Sequence, residues 1–143
     1  MIIKQLSVFV ENKPGRLTEI TRTLNESAID IRALSIADTK DFGILRLIVN
    51  RPCQAEEVLK GAGFTVSLTE VIAIGIKDEP GGLAEAMHVL YENQVSVEYM
   101  YAFISRTNGM AFVILRVDDN KRSIEILQKN GIHILQNQDI YNM

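Results

Sequence analysis

The chain contains the same segment twice. Glu11-Asn12-Lys13-Pro14-Gly15-Arg16-Leu17 returns 66 residues later as Lys77-Asp78-Glu79-Pro80-Gly81-Gly82-Leu83. The same offset matches Glu19 with Glu85, Leu24 with Leu90, Glu26 with Glu92, Gly43 with Gly109 and Ile48 with Ile114. A period of this size across most of 143 residues means two copies of one small module, residues 1–69 and 70–143. A module that small buries a limited share of its surface. The two are therefore expected to dock side by side as one compact body. No Pro/Gly/Ser-rich linker separates them, because Phe64 to Lys77 is almost continuous strand-like sequence.

Periodicity predicts the elements of each copy. From Ile2 to Val10 the residues alternate, with Leu6, Val8 and Val10 on one face, as in a half-buried strand. Pro14-Gly15 ends it, and Leu17, Ile20 and Leu24 follow at helical spacing, giving a helix from about Gly15 to Glu26. Proline costs nothing near a first helical turn, where its missing N–H would have been unpaired. A strand over Ile29–Ala37, a turn over Asp38–Phe42 and a strand over the branched run Ile44–Val49 come next. Pro52 opens a second helix with Ala55, Val58, Leu59 and Ala62 inward and Gly61 and Gly63 at its end; Phe64–Leu68 is the last strand.

The second copy reads as strand Val71–Ile76, helix Gly81–Glu92, strands Val95–Ile104 and Met110–Val117, helix Lys121–Lys129 and strand Ile132–Gln136. Its offset is expected to slip to 68 after Arg116, where Asp118-Asp119-Asn120-Lys121 lengthens the connection and Gly63 comes to match Gly131. The fold class is α+β: two tandem ferredoxin-like βαββαβ modules, with antiparallel sheets side by side. Right-handed crossovers place both helices of a module on one sheet face.

Composition excludes several functions. Net charge is −3 and there is no Lys/Arg run, whereas a nucleic-acid partner calls for a basic face. Cys53 is the single cysteine, so neither a disulfide framework nor a multi-cysteine metal site is available. The opening residues lack the pattern of a signal peptide, and no apolar run approaches the ~20 residues of a membrane helix. A cytoplasmic protein without cofactor or metal is expected. His88 and His133 have no nucleophile or carboxylate at a recognisable spacing, so catalysis is not expected. The same element order also serves RNA-binding modules, copper chaperones and acylphosphatases, but their signature motifs are absent here.

The pattern Asn/Asp-x-Pro-Gly-x-Leu between a first strand and a first helix resembles the ACT domain, in both copies and over the whole chain. That resemblance implies a βαββαβ regulatory module that binds amino acids. Val10 to Leu17 is further similar to the serine-sensing loop of phosphoglycerate dehydrogenase regulatory domains. There an Asn matching Asn12 and a polar residue at the start of strand two, here Asp30, contact the ligand. The family's other contacting residue, a His in strand one, is Val10 here, so serine itself is not implied. The matching positions of the second copy are Asp78 and Ser96.

The residues carry a chemistry of their own. Backbone N–H groups freed at a helix start can meet an amino acid's carboxylate, which the helix dipole also favours. Gly15, Gly81 and Gly82 let the main chain approach closely, and Asn12, Asp30 or Asp78 can accept from the ammonium. The candidate ligand-binding set is Asn12, Pro14, Gly15, Arg16, Leu17, Asp30 and Ile31, with Asp78, Pro80, Gly81, Gly82, Leu83, Ser96 and Val97 in the second copy. Plainer roles compete. Pro-Gly can be turn chemistry alone, Asn12 or Asp78 can cap the helix, Asp30 can be a solvated strand-edge residue, and Arg16 and Arg32, which could clamp a ligand carboxylate, can be ordinary surface charges. Tyr99, Met100, Tyr101 and Phe103 form an aromatic-rich strand suited to an interface or a pocket wall.

The expected function is a non-catalytic sensor that holds a free amino acid at the Pro-Gly loops, between modules or subunits of a homodimer. The alternative is a ligand-independent regulatory subunit docking an amino-acid biosynthetic enzyme. Neither nucleic acid nor membrane is expected as a partner.

Overall fold

The computed structural model describes residues 1–38, 41–103 and 109–143. The chain divides into two compact units, one of Lys4–Thr69 with Asn142, the other of Glu70–Tyr141 with Met1–Ile3 and Met143. The first unit is built from β1 (Ile3–Glu11), α1 (Arg16–Glu26), β2 (Ile31–Asp38), β3 (Phe42–Val49), α2 (Pro52–Gly61) and the start of β4 (Thr65–Lys77). The second takes the rest of β4 with α3 (Gly82–Glu92), β5 (Val97–Phe103), β6 (Met110–Val117), α4 (Asn120–Lys129), β7 (His133–Ile134) and α5 (Asn137–Tyr141). Both are ferredoxin-like βαββαβ modules. Their strands run β2-β3-β1-β4 in the first unit and β5-β6-β4-β7 in the second.

Strand alternation decides which residues meet the helices. Leu6, Val8 and Val10 of β1 pair with Leu47, Leu45 and Gly43 of β3, and pack on Ile20 and Leu24 of α1 and Ala55 and Leu59 of α2. In the second unit Ile72, Ile74 and Ile76 join Val113, Leu115 and Val117 against Ala86, Leu90, Ile124 and Leu127. Strand β2 ends the first sheet and leaves Leu34 55 % and Ile36 47 % exposed. Phe9 and Phe42 stack with ring centroids 5.0 Å apart on the sheet face away from the helices, beside Ile44, and all three are exposed.

Three expectations need correction, and a fourth falls outside the described residues. The stretches read as strands Phe64–Leu68 and Val71–Ile76 are one strand, β4, from Thr65 to Lys77. The strand expected over Ile132–Gln136 is reduced to His133–Ile134, and Asn137–Tyr141 then turns into α5. The expected strand end at Ile104 lies outside the described residues. The repeat also slips earlier than the sequence match suggests. Glu11 pairs with Phe42 while Lys77 pairs with Met110, and Ile31 pairs with Val49 while Val97 pairs with Val117. So β5 follows β2 at the 66-residue offset, but β6 follows β3 at 68, and the two extra residues fall between Phe103 and Met110. Gly109 therefore stands where Asp41 does: Asp78 N–H donates to Gly109 O at 2.9 Å as Asn12 N–H does to Asp41 O at 3.0 Å. Ile114 corresponds to Arg46, not to Ile48.

Candidate functional site: the first strand-to-helix junction

Both Pro-Gly turns place a glycine at the helix N-cap in the left-handed region, Gly15 at φ 90° and Gly81 at φ 92°. A residue with a Cβ is strained there, which is why the motif carries glycine at this point. Neither helix start has a side-chain cap, so the helix-capping role is not the one Asn12 and Asp78 fill. Arg16 N–H is met by Lys13 O and Glu19 N–H by Gly15 O. Leu17 and Thr18 N–H make no backbone hydrogen bond among the described residues, as the first turn of a helix leads one to expect.

Beside this turn lies a cavity of about 90 Å³, lined by Val10, Glu11, Asn12, Lys13, Arg16, Leu17, Ile36, Gly43 and Leu45. One water needs roughly 10–15 Å³ of such space, so the hollow admits a molecule of several non-hydrogen atoms. Its lower walls are aliphatic and its rim is charged with both signs. Lys13 Nζ lies 2.9 Å from Glu11 Oε2, and Arg16 Nη1 donates to Glu19 Oε2 at 3.0 Å. The Lys13 hydrogen bond first, then the charge of Lys13 with a smaller push from Arg16, hold the Glu11 carboxyl below its usual pKa. Glu11 and Arg16 also border a second hollow of about 150 Å³, shared with Phe9, Phe42 and residues 62–65.

The cavity thus gathers Asn12, Arg16 and Leu17 from the predicted set, with Pro14 and Gly15 forming the turn beside them. Asp30 and Ile31 are not brought to it. Strand β2 runs parallel to β1, so its start lies a whole strand, roughly 25 Å, from the loop. There Asp30 pairs with Arg32 at 2.9 Å, and its N–H donates to Asn50 Oδ1 at 2.9 Å. The same partner accounts for Arg32, which does not line the cavity.

Asp78, Pro80, Gly81, Gly82, Leu83, Ser96 and Val97 belong to the second unit. Its turn differs most sharply at the position of Arg16. A Cβ placed on Gly82 would lie 2.1 Å from Lys77 O, so the position equivalent to Arg16 has no room for a side chain.

Sequence reasoning missed Glu11, Lys13, Ile36, Gly43 and Leu45 as lining residues and proposed Val10 only as a departure from a motif. Glu11 and Lys13 sit inside the repeated segment and could have been taken with it. Ile36 and Leu45 come from β2 and β3, and only the strand order brings them beside the loop. Among the described residues no His/Cys/Asp/Glu cluster could hold a metal ion. Cys53 is exposed with Lys4 Nζ 3.7 Å from its sulfur, and His88 pairs with Glu92 at 3.1 Å. No described helix is long and apolar enough to cross a membrane.

Comparison with known proteins adds to this geometry. A family model described as an ACT domain pair matches residues 1–143. The solved protein BT0572 from Bacteroides thetaiotaomicron is 41% identical, with 100% of this chain and 98% of that one covered and a TM-score of 0.94. The regulatory subunit of aspartate kinase from Thermus thermophilus, in ligand-free form, shares the fold at 13% identity and a TM-score of 0.63, over 90% of this chain and 94% of its own. The subunit from Thermus flavus compares similarly, at 13% identity and a TM-score of 0.61 over 90% and 94% of the two chains. No curated protein matches the chain.

Proposed function

The chain belongs to the ACT domain pair family, and from that premise we propose that it is a non-catalytic regulatory protein that binds a free amino acid at the first strand-to-helix junction. The observation that carries this reading is the cavity between that turn, β2 and β3, with a rim bearing both signs of charge over apolar walls. A zwitterion needs this combination. Its carboxylate meets Leu17 and Thr18 N–H at the positive end of α1, with Lys13 and Arg16 adding charge-assisted donors. Its ammonium meets Asn12 Oδ1 and the Glu11 carboxylate, which the lowered pKa keeps ionised.

Binding regulates by mass action. At 100 times its Kd the ligand stabilises the bound form by about 2.7 kcal/mol, enough to bias an assembly with two states of similar energy. The edge strand β2, carrying Ile36 at the cavity wall, gives a second copy a place to meet the ligand, so a homodimer is the proposed responding assembly. An amino-acid biosynthetic enzyme is the proposed target. That fits the fold shared with aspartate kinase regulatory subunits.

Thermal unfolding against the twenty amino acids tests the reading. At least one is expected to raise the melting temperature at millimolar concentration, and Asn12→Ala to diminish that rise. A melting temperature indifferent to all twenty removes the sensor reading. A second reading, ligand-independent docking to an enzyme, draws on the exposed Phe9, Phe42 and Ile44. Regulation that persists without any amino acid would select it.

A further inference from the structure

We infer that the amino acid held by the first unit carries a short aliphatic side chain, with valine, isoleucine and leucine favoured over hydroxylated, acidic and aromatic ones. This rests on reading the junction cavity as an amino-acid site and concerns which member of that class it selects. The polar groups that line the hollow, from Glu11, Asn12, Lys13 and Arg16, belong to one continuous loop and helix start. The rest of the lining is apolar: Val10 and Leu17 flank that segment, and Ile36 and Leu45 come from β2 and β3. Gly43 offers only its backbone, which lies in the ladder between Val10 of β1 and Asp38 of β2. Polar partners for the zwitterion therefore all come from the loop and helix start, while β2 and β3 contribute only apolar side chains.

The burial of the walls points the same way. Val10 and Leu45 are 8 % and 4 % exposed and belong to the core, so they form a fixed floor. Leu17 and Ile36 are 45 % and 47 % exposed, although both are large and apolar. An aliphatic side chain between them would cover surface that water now wets, whereas a hydroxyl or carboxylate would lose its water and find no partner. Size adds a limit. At about 90 Å³ the hollow is small, which favours a short side chain over an indole.

The magnitudes follow from transfer chemistry. Each buried methylene is worth about fourfold in affinity, so alanine should bind about fifteenfold more weakly than valine. Threonine has the shape of valine with one methyl replaced by hydroxyl, and apolar pockets discriminate that pair by up to about a hundredfold.

Calorimetric titration of the intact chain with valine, leucine, isoleucine, alanine, threonine, aspartate and tryptophan tests the order. Valine, leucine or isoleucine is expected to bind most tightly, with threonine at least tenfold weaker than valine. Ile36→Asn changes an exposed edge position and should keep the unliganded melting temperature. It should weaken valine at least fivefold and narrow the gap to threonine. Tightest binding of threonine, aspartate or tryptophan, lost in Asn12→Ala, overturns the aliphatic assignment and leaves the amino-acid site standing. Valine binding indifferent to both Ile36→Asn and Asn12→Ala overturns the location, and heat from none of the seven overturns the assignment together with the reading beneath it.

Discussion

Gly61 and Gly82 are both helical glycines, and replacing each by alanine should move stability in opposite directions. Gly61 ends α2 in open space, with nothing within 4 Å of a Cβ built upon it. Alanine there sheds glycine's backbone entropy and should stabilise by up to about 0.5–1 kcal/mol. Gly82 begins α3, where the same Cβ would lie 2.1 Å from Lys77 O and 3.1 Å from its carbonyl carbon. That is more than an ångström inside ordinary contact, against main chain that also pairs with Met110 of β6. Overpacking typically costs about 1–3 kcal/mol, and a backbone obstacle belongs at the upper end. After a helix-propensity gain of at most ~1 kcal/mol, Gly82→Ala should destabilise by about 2 kcal/mol. Urea denaturation followed by circular dichroism, with slopes compared to verify an unchanged unfolding transition, measures both variants. A Gly82→Ala protein as stable as the parent would refute the claim that this turn is closed, and with it the contrast drawn with Arg16.

Two other perturbations probe single interactions. Asp119 caps α4 by accepting from Arg122 N–H at 3.0 Å, so Asp119→Ala should cost about 1 kcal/mol in the same denaturation assay. Lys13→Ala should raise the Glu11 titration midpoint, followed by carboxyl carbon NMR, back toward the usual glutamate value. Because folding lowers that pKa, any stabilisation from the pair is present above the unfolded value and lost as pH falls through the folded one. The pair is exposed, so a midpoint unmoved by the substitution, not a stability change, is the result that counts against it.

The duplicated turn was legible because its chemistry is local. Glycine at a left-handed N-cap and apolar residues at helical spacing can be read without knowing what lies opposite. The slip between the copies was hidden for a physical reason. Side chains of a strand repeat every two residues, so a two-residue shift returns every residue to the same face. Val113 and Leu115 point inward under either offset, and the matches of Gly43 with Gly109 and Ile48 with Ile114 persist as coincidences of identity. Helix α5 escaped because five residues, with Ile140 alone buried, are too few to display a period. Its start is fixed by Asp139 Oδ2 accepting from Gln136 N–H at 2.7 Å, a contact of side-chain geometry and not of pattern. At the site, the loop half could be named from its motif. Ile36 and Leu45 could not, because nothing short of the strand order tells which residue of β2 or β3 reaches the loop.

Strand β2 has a bearing on how this protein behaves in concentrated solution. A sheet that terminates in a strand bearing Leu34 and Ile36 offers its outer amides as a template to any extended segment that drifts by, native or not. A lysine in place of Leu34 is thermodynamically mild on so exposed a position. Colloidally it is a large change, because a charge on that margin repels the stray chains that an aliphatic one would recruit.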